Sequence, residues 1–91
     1  MNTSQKSNWF VYIVCCADNT FYTGITTNLE KRILTHNQGV GAKYTKMRLP
    51  VKLIYSESQT NRSSASIREA EIKKLTKKQK EILIKTSSKS Q

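Results

Sequence analysis

Five side chains along the chain could share one site that cleaves phosphodiester bonds: Tyr12, Tyr22, Arg32, His36 and Glu69. Phosphoryl transfer needs a divalent cation or an arginine to stabilise developing charge, a group that takes a proton from water, and help for the leaving oxygen. Glu69 could hold one cation, Arg32 could contact the scissile phosphate, and a tyrosine or the histidine could handle the protons. Taken singly, each residue has a structural explanation that is at least as good, because strand tyrosines usually pack and a lone histidine is usually capped or solvated.

The residue inventory excludes most other catalytic sets. The chain has one histidine, which rules out histidine-rich metal sites and two-histidine mechanisms. Of its six acidic residues, Asp18 is expected in a turn and Glu30 in a helix cap, so a two-metal carboxylate cluster is hard to build. Neither a Walker-type phosphate loop nor a dinucleotide-binding fingerprint occurs. Cys15 and Cys16 are strand neighbours that point to opposite faces, so we expect free thiols rather than a disulfide or a metal pair.

The charge balance indicates a polyanionic partner. Sixteen Lys and Arg residues against six Asp and Glu residues give a formal net charge of +10. Such an excess on a short chain favours nucleic acid, through phosphate contacts and counterion release. The alternative is a basic surface that serves only solubility. The lysine run on the last predicted helix fits that alternative and also adds to the basic surface: Lys77, Lys78, Lys80 and Lys85.

The chain length predicts one small domain, which we place at residues 8–85, between a disordered leader at 1–7 and a disordered tail at 86–91. No apolar run approaches the roughly 18 residues that a membrane span requires. The polar start of the chain does not resemble a secretory signal, so we expect a cytoplasmic protein.

A hairpin from Phe10 to Gly24 organises the predicted fold. Its first arm alternates, with Phe10, Tyr12 and Val14 on one side and Val11, Ile13 and Cys15 on the other. Asp18 and Asn19 form the reversal, because both tolerate turn conformations. Tyr12 and Tyr22 then lie on the same face of the hairpin. Gly24 marks a close backbone approach or a bulge.

The next segment predicts a helix from about Asn28 to Asn37, with Thr27 and Glu30 at capping-box spacing and Gly39 and Gly41 at its end. Arg32 and His36 are four residues apart and share one face of that helix. The segment from Gly39 to Pro50 predicts a loop, with room for one helical turn. Its cationic residues around Tyr44 suit phosphate contact and base stacking, although a solvated loop over the sheet edge explains them equally well. Val51, Leu53 and Tyr55 form an alternating run that predicts the third strand.

Two more helices are predicted. In the first, from about Asn61 to Leu75, Glu69 shares the packing side with Ala65, Ile72 and Leu75. A carboxylate there must be paired or bind a cation to offset its desolvation, and an ion pair with Arg32 or a lysine is the structural alternative. Thr76 and Gln79 form a capping box that opens the last helix, which we expect to run to about Lys85 with Ile82 and Leu83 turned inward.

These residues resemble the GIY-YIG endonuclease superfamily. The resemblance rests on VYI at 11–13 and YTG at 22–24, followed by Arg32, His36 and Glu69. It is closer to small stand-alone bacterial members, the UPF0213-like group, whose nuclease domain is similar to that of structure-specific endonuclease subunits. The likeness runs from about Trp9 to Leu83 and includes TGITTNLEKRILTHN, GAKYTKMRLPVKLIYSE and REAEIKKL. Several spaced motifs in the same order make it specific.

The resemblance implies an α+β fold, a small three-stranded antiparallel sheet flanked by helices. It also implies cleavage with one Mg²⁺ or Mn²⁺ ion held at Glu69. By the same likeness Tyr12 and Tyr22 are the motif tyrosines, Tyr12 is the favoured general base, Arg32 binds phosphate, and His36 stands where other branches use tyrosine or histidine. The residues expected to contact nucleic acid are the motif glycine and the basic segment residues: Gly24, Lys43, Tyr44, Lys46, Arg48, Lys73 and Lys77.

Two features depart from the family pattern. The first motif is VYI rather than GIY, which leaves the tyrosine intact. The C-terminal asparagine of many members has no counterpart, since no Asn follows Asn61, and this bears on substrate positioning more than on the cleavage site.

The leading hypothesis is a metal-dependent endonuclease that cuts DNA, or alternatively RNA, in DNA repair or recombination. With one domain and no module to read bases, we expect preference for branched, flapped or single-stranded DNA, or nonspecific nicking. The alternative is a nucleic-acid-binding module of the same fold that cleaves little unless a protein partner completes it. A purely structural role gives no reason for the charge of +10.

Overall fold

The computed structural model describes residues 8–89, which form one three-stranded antiparallel sheet and four helices. The strands lie in the order β2-β1-β3. This architecture confirms the predicted α+β class. The predicted leader at 1–7 and the last two residues of the predicted tail lie outside the described residues. In chain order the elements are β1 (Trp9–Cys15), β2 (Phe21–Thr26), α1 (Leu29–Asn37), α2 (Lys43–Lys46), β3 (Lys52–Gln59), α3 (Arg62–Lys73) and α4 (Lys77–Lys89).

The central strand β1 is covered on both faces. Val11 and Ile13 are fully buried in a cluster with Ala65 and Ile72 of α3. Tyr12 and Val14 are fully buried in a second cluster on the other face, against which the α1 residues Leu29 and Ile33 pack. The predicted alternation along β1 is therefore confirmed. Burial of each such aliphatic side chain contributes about 1.5–3 kcal/mol.

The predicted reversal between β1 and β2 is also confirmed. Asn19 adopts a positive φ of 70°, which asparagine tolerates better than most residues. Thr20 donates from its backbone nitrogen and its hydroxyl to Oδ1 of Asp18, at 3.2 and 2.6 Å. These local bonds hold the turn and leave the two arms in register.

The start of α1 differs from the predicted capping box. Asn28 is the N-cap, and its Oδ1 accepts a hydrogen bond from the backbone nitrogen of Lys31 at 3.0 Å. The box of Thr27 and Glu30 is wrong, because Asn28, one residue later, is the N-cap and its side chain accepts from an N–H of the first turn. Gly39 follows the helix with a φ of 82°, as expected for a glycine just past a helix end.

The third strand is longer than predicted and carries a bulge. Ile13 is opposite Tyr55, whereas Val14 is opposite Leu53, so Ile54 is the extra residue. Ile54 and Tyr55 therefore both pack against the core, and the side chain of Leu53 is 38% exposed. The loop before β3 contains the predicted single helical turn, α2.

Helix α3 begins after the N-cap Asn61 and ends at Lys73, just short of the predicted Leu75. It is tied to β3 by an ion pair between Nε of Arg68 and Oε2 of Glu57, 2.9 Å apart. Arg68, Tyr55 and Gln59 all donate to Glu57, and their hydrogen bonds hold the pKa of that carboxyl below its usual value although burial opposes the change. This network fixes the helix that carries Glu69 against the sheet.

The predicted capping box of α4 is confirmed. Gln79 accepts from the backbone nitrogen of Thr76 at 2.9 Å, and the Thr76 hydroxyl accepts from the backbone nitrogen of Gln79 at 3.1 Å. The helix then continues to Lys89, past its predicted end at Lys85 and into the predicted tail, because neither glycine nor proline interrupts it there. Ile82 is 55% exposed, so its inward placement is wrong. Leu83 packs on the core as predicted, joined by its neighbour Ile84.

Candidate active site

Tyr12 reaches across the neighbouring strand because Gly24 lies opposite it. The two residues are paired between β1 and β2, and Gly24 is buried. A Cβ atom at Gly24 would lie 2.6 Å from the Tyr12 hydroxyl oxygen and 2.8 Å from Cζ of that ring. The close approach predicted at Gly24 is thus confirmed. Gly24 is buried against the Tyr12 ring, which only a residue without a Cβ permits, and its contact with nucleic acid stays a prediction.

Helix α1 brings two side chains to the Tyr12 hydroxyl. Nε2 of His36 lies 2.8 Å from that oxygen, and Nε of Arg32 donates to it at 3.3 Å. Tyr12 and His36 are both fully buried. The spacing of four residues that the sequence shows between Arg32 and His36 is what lets both meet one atom.

The second ring nitrogen of His36 has a partner that sequence reasoning missed. Nδ1 lies 2.8 Å from the hydroxyl of Thr45, a fully buried residue of α2. Thr45 in turn donates to the carbonyl oxygen of Ala42 at 3.0 Å. A Cβ at Gly41 would lie 2.6 Å from Nδ1 of His36, so this glycine lets the loop close over the ring. The glycine pair after α1 was the available signal, but it indicated only the end of the helix.

Tyr22 contributes a ring rather than a hydrogen bond to this group. Its ring meets His36 edge-on, with centroids 5.5 Å apart, and stacks on Tyr44 at 5.9 Å with an interplanar angle of 23°. The guanidinium carbon of Arg48 lies 3.9 Å from the centre of the Tyr44 ring. Arg48 is itself held by Asp18, at 3.1 Å. The predicted base-stacking residue Tyr44 therefore already packs against Tyr22 and Arg48. These three side chains form a column beside His36.

Glu69 lies on the packing side of α3, as predicted, with 22% of its side chain exposed. Its Oε2 pairs with Nζ of Lys73 at 3.2 Å. The expected ion pair of Glu69 is therefore made with a lysine and not with Arg32. The negative charge of Glu69 contributes to raising the pKa of Tyr12. This contribution to the Tyr12 pKa is smaller than those of burial, Arg32 and Tyr22.

The protonation states of this group follow from burial. Burial raises the pKa of Tyr12, against the opposing hydrogen bond and charge of Arg32. Burial lowers the pKa of His36 below its usual 6.5, and the positive charge of Arg32 adds to that effect. At neutral pH Tyr12 therefore keeps its proton while His36 is uncharged and can accept one.

The lysines predicted to contact nucleic acid fall into two groups, one exposed on α2 and one engaged by other residues of the protein. Lys43 and Lys46 are exposed on α2, next to the Tyr44 and Arg48 column. Lys73 is engaged by Glu69. Lys77 donates to the carbonyl oxygen of Asn19 at 2.6 Å and lies 4.9 Å from the centre of the Phe21 ring, so it joins α4 to the hairpin turn.

The acidic residues present fit a single divalent ion. Within residues 8–89, no group of three His, Cys, Asp or Glu side chains could hold a metal by itself. Mg²⁺, however, is commonly bound by one or two carboxylates together with waters and substrate phosphates. Oε1 of Glu69 makes no hydrogen bond to any described residue and is available as such a ligand. Cys15 and Cys16 are free thiols, as expected.

Comparison with known proteins identifies the family. The GIY-YIG catalytic domain matches residues 8–82. A UPF0213 protein of Desulfotalea psychrophila is 55% identical over 87 residues, which span 94% of this chain and 79% of that protein. The UPF0213 protein YazA of Bacillus subtilis is 50% identical over 80 residues, 88% of this chain and 81% of its own length.

Two solution NMR structures share the fold. A protein of E. faecalis is 43% identical with a TM-score of 0.63, and the match covers 94% of this chain and 92% of that one. A UPF0213 protein of Bacillus halodurans is 39% identical with a TM-score of 0.57, over 87% of this chain and 84% of that one. Among the described residues, no helix is long and apolar enough to cross a membrane. The chain belongs to the GIY-YIG catalytic domain family, and its close homologues are UPF0213 proteins.

Proposed function

We propose that this protein is a metal-dependent endonuclease that hydrolyses DNA phosphodiester bonds. The observation that carries the proposal is the buried Tyr12 hydroxyl, held between Nε2 of His36 at 2.8 Å and Nε of Arg32 at 3.3 Å. A tyrosine packed only for stability does not need a neutral base and a cation on the same oxygen. A tyrosine that exchanges a proton with water benefits from both.

In the proposed reaction Tyr12 activates the attacking water. Because burial raises the pKa of Tyr12, the hydroxyl is not ionised at neutral pH. The tyrosine proton therefore passes to Nε2 of His36 as Tyr12 takes a proton from water. The water oxygen forms a bond to phosphorus, the bond from phosphorus to the leaving oxygen breaks, and the leaving oxygen takes a proton from solvent. Arg32 limits the charge that builds up on the Tyr12 oxygen and on the phosphate.

Glu69 is the proposed metal ligand. When bound there, Mg²⁺ or Mn²⁺ supplies positive charge for the phosphate oxygens and the leaving group. The role of the chain is to hold this carboxylate on α3, with 22% of its side chain exposed. The Tyr22 hydroxyl makes no hydrogen bond to the described residues, so it is available to a phosphate oxygen.

The basic surface supports a nucleic-acid substrate. The net charge of +10 and the exposed lysines of α2 provide phosphate contacts, which position a strand without reading its sequence. We therefore propose a structure-selective or nonspecific nuclease acting on branched, flapped or single-stranded DNA, with RNA as the alternative polymer. Repair or recombination of DNA is the process that such a substrate suggests.

The proposal is tested with Glu69→Gln and Tyr12→Phe, assayed on branched, flapped and single-stranded DNA in Mg²⁺ and Mn²⁺. Each change should lower the cleavage rate by about 10²–10³-fold, the range for loss of one group that stabilises a transition state. Glu71→Gln on the same helix is the matched control, since its carboxylate pairs with Arg68 at 3.1 Å and not with the site. Wild-type rates in Glu69→Gln would refute the proposal.

A second candidate is a nucleic-acid-binding module that a partner must activate. It is favoured by the ion pair between Lys73 and Glu69, which occupies one oxygen of the only proposed metal ligand. Cleavage of branched DNA by the purified protein alone eliminates this candidate. DNA binding without cleavage, followed by cleavage once cell extract is added, supports it.

A further inference from the structure

We propose that Thr45 is a positioning residue that holds His36 in the tautomer protonated at Nδ1, so that Nε2 faces Tyr12 as a hydrogen-bond acceptor. The inference rests on the direction of four linked hydrogen bonds. It goes beyond the proposed nuclease activity, because it assigns a role to Thr45 of α2, which is not among the predicted site residues.

The hydrogen inventory of Thr45 sets the direction. A threonine hydroxyl carries one hydrogen, and a carbonyl oxygen can only accept. Thr45 gives that hydrogen to the carbonyl oxygen of Ala42 at 3.0 Å. The contact between the Thr45 hydroxyl and Nδ1 of His36, at 2.8 Å, therefore requires Nδ1 to donate.

The consequence passes through the ring to Tyr12. A neutral imidazole carries one N–H, so a proton on Nδ1 leaves Nε2 with a free lone pair. The lowered pKa of His36 keeps the ring neutral near pH 7. The Tyr12 hydroxyl then donates to Nε2 at 2.8 Å and accepts from Nε of Arg32. Nε of Arg32 can only donate to the Tyr12 oxygen, so Nε2 of His36 is the acceptor, among the described residues, for the hydrogen of the Tyr12 hydroxyl.

The packing around Nδ1 makes Thr45 hard to replace by water. His36 and Thr45 are both fully buried. Gly41 lies so close that a Cβ there would approach Nδ1 to 2.6 Å and Cα of His36 to 3.0 Å. Because no space is left beside the ring nitrogen, the Thr45 oxygen is its acceptor among the described residues.

The expected effect on catalysis rests on the proposed function, whereas the assignment of the His36 tautomer rests on the hydrogen bonds alone. If Tyr12 passes its proton to His36, the reaction needs the free lone pair on Nε2, and losing the Nδ1 acceptor slows proton transfer without removing any group that touches DNA. An experiment on the tautomer itself therefore separates the two ideas.

The test uses ¹⁵N NMR of the imidazole ring in the wild type, Thr45→Val and Thr45→Ser, at a pH above the pKa of His36. His36 is the only histidine in the chain, so its ring signals need no assignment. Valine keeps the shape of threonine without an oxygen, and serine keeps the oxygen. We expect the Nδ1–H form in the wild type and in Thr45→Ser, and a substantial shift to the Nε2–H form in Thr45→Val.

Cleavage assays on the same variants provide the second measurement. Thr45→Val should lower kcat by about 10–100-fold with little change in KM, the range seen when a partner that orients a functional histidine is removed, and Thr45→Ser should restore most of the rate. A wild-type ring protonated at Nε2, an Nδ1–H form that persists in Thr45→Val, or a serine variant that behaves like valine would overturn the inference. If valine does not fold, Thr45→Ala takes its place, since alanine also lacks the hydroxyl oxygen. A tautomer change in a protein without nuclease activity would refute the proposed function and uphold the role of Thr45.

Discussion

The hydroxyl oxygen of Tyr12 lies 2.8 Å from Nε2 of His36, a buried contact between the central strand and the first helix. Both side chains are withdrawn from solvent, and burial shifts their pKa values in opposite directions, upward for Tyr12 and downward for His36. The proton between the two side chains therefore lies on the Tyr12 oxygen, and Nε2 of His36 accepts its hydrogen bond. A glycine packs against each side chain of the pair, Gly24 against Tyr12 and Gly41 against His36, where a Cβ atom would clash.

Substitution of Gly24 by alanine should damage the site more than the fold. The new Cβ would meet the Tyr12 hydroxyl at 2.6 Å and displace the ring from His36 and Arg32. A displacement of about 1 Å in a catalytic group costs on the order of 10² in rate, while overpacking costs about 1–3 kcal/mol of stability. Cleavage rate and thermal denaturation are measured together.

Gly39→Ala is the control for that substitution. Its Cβ would meet only Cδ1 of Leu49, at an ordinary 3.8 Å, but its φ of 82° costs an alanine about 1–2 kcal/mol. We expect Gly39→Ala to lose comparable stability and to keep the cleavage rate of the folded protein. Equal activities in the two variants would show that the contact between Gly24 and Tyr12 is unimportant for function.

His36 should make folding stability depend on pH in a defined window. Its pKa is lower in the folded protein than the ordinary 6.5 of the unfolded chain, so the unfolded state binds more protons as the pH falls below 6.5. Stability is then lost from pH 6.5 downward until the folded-state pKa is passed. The lowered carboxyl pKa values of Asp18 and Glu57 act only below their ordinary values of 3.8 and 4.5.

The measurement is urea denaturation between pH 7.5 and 5 for the wild type and His36→Gln. The glutamine variant lacks the titrating ring and should show a flatter dependence over this range. Parallel curves for the two proteins would mean that the His36 pKa is not lowered by folding. The cleavage rate should fall over the same acid range, because protonated His36 cannot accept the proton of Tyr12.

Removal of Lys73 should strengthen divalent cation binding. Its Nζ lies 3.2 Å from Oε2 of Glu69 and competes with a cation for that carboxylate. Because the Lys73 side chain is 52% exposed, the ion pair is worth at most about 1 kcal/mol, which corresponds to an affinity gain of about two- to fivefold for Lys73→Ala. Mn²⁺ titration by calorimetry without DNA gives this value independently of catalysis.

Lys74→Ala is the matched control for Lys73→Ala. Lys74 is exposed and adjacent, so its loss removes the same charge without freeing Glu69. The gain in Mn²⁺ affinity should be confined to the Lys73 variant. The same gain in both variants would mean that the affinity changes only because a positive charge is lost, and not because Glu69 is freed.

Lys46 on α2 should contribute a phosphate contact. The residue is exposed beside the Tyr44 and Arg48 column. Lys46→Ala should lower the slope of log affinity against log salt concentration by about 1, as expected for one lost phosphate contact. Fluorescence anisotropy with labelled single-stranded DNA measures the slope, and Lys78→Ala on α4 is the control. An unchanged slope for Lys46→Ala would place the DNA elsewhere.

Local patterns in the sequence determined much of this protein. The alternation along β1, the turn at Asp18 and Asn19 and the capping box at Thr76 depend on backbone periods and on hydrogen bonds between near neighbours, so they are visible without a fold. The spacing of Arg32 and His36 belongs to the same class, because residues four apart on a helix share a face. The family motifs add the likeness of Tyr12, Tyr22 and Glu69 to a nuclease site.

The tertiary structure alone decided what these residues contact. The hydroxyl of Thr45 reaches His36, and Lys77 reaches Asn19, only because packing brings separate elements together. The bulge at Ile54 changes which side chains of β3 face the core, and neither its position nor the burial of Gly24 under Tyr12 follows from a local pattern. Such contacts depend on how the helices and strands dock over long sequence separations. Local hydrogen bonds and side-chain periodicity do not encode that docking.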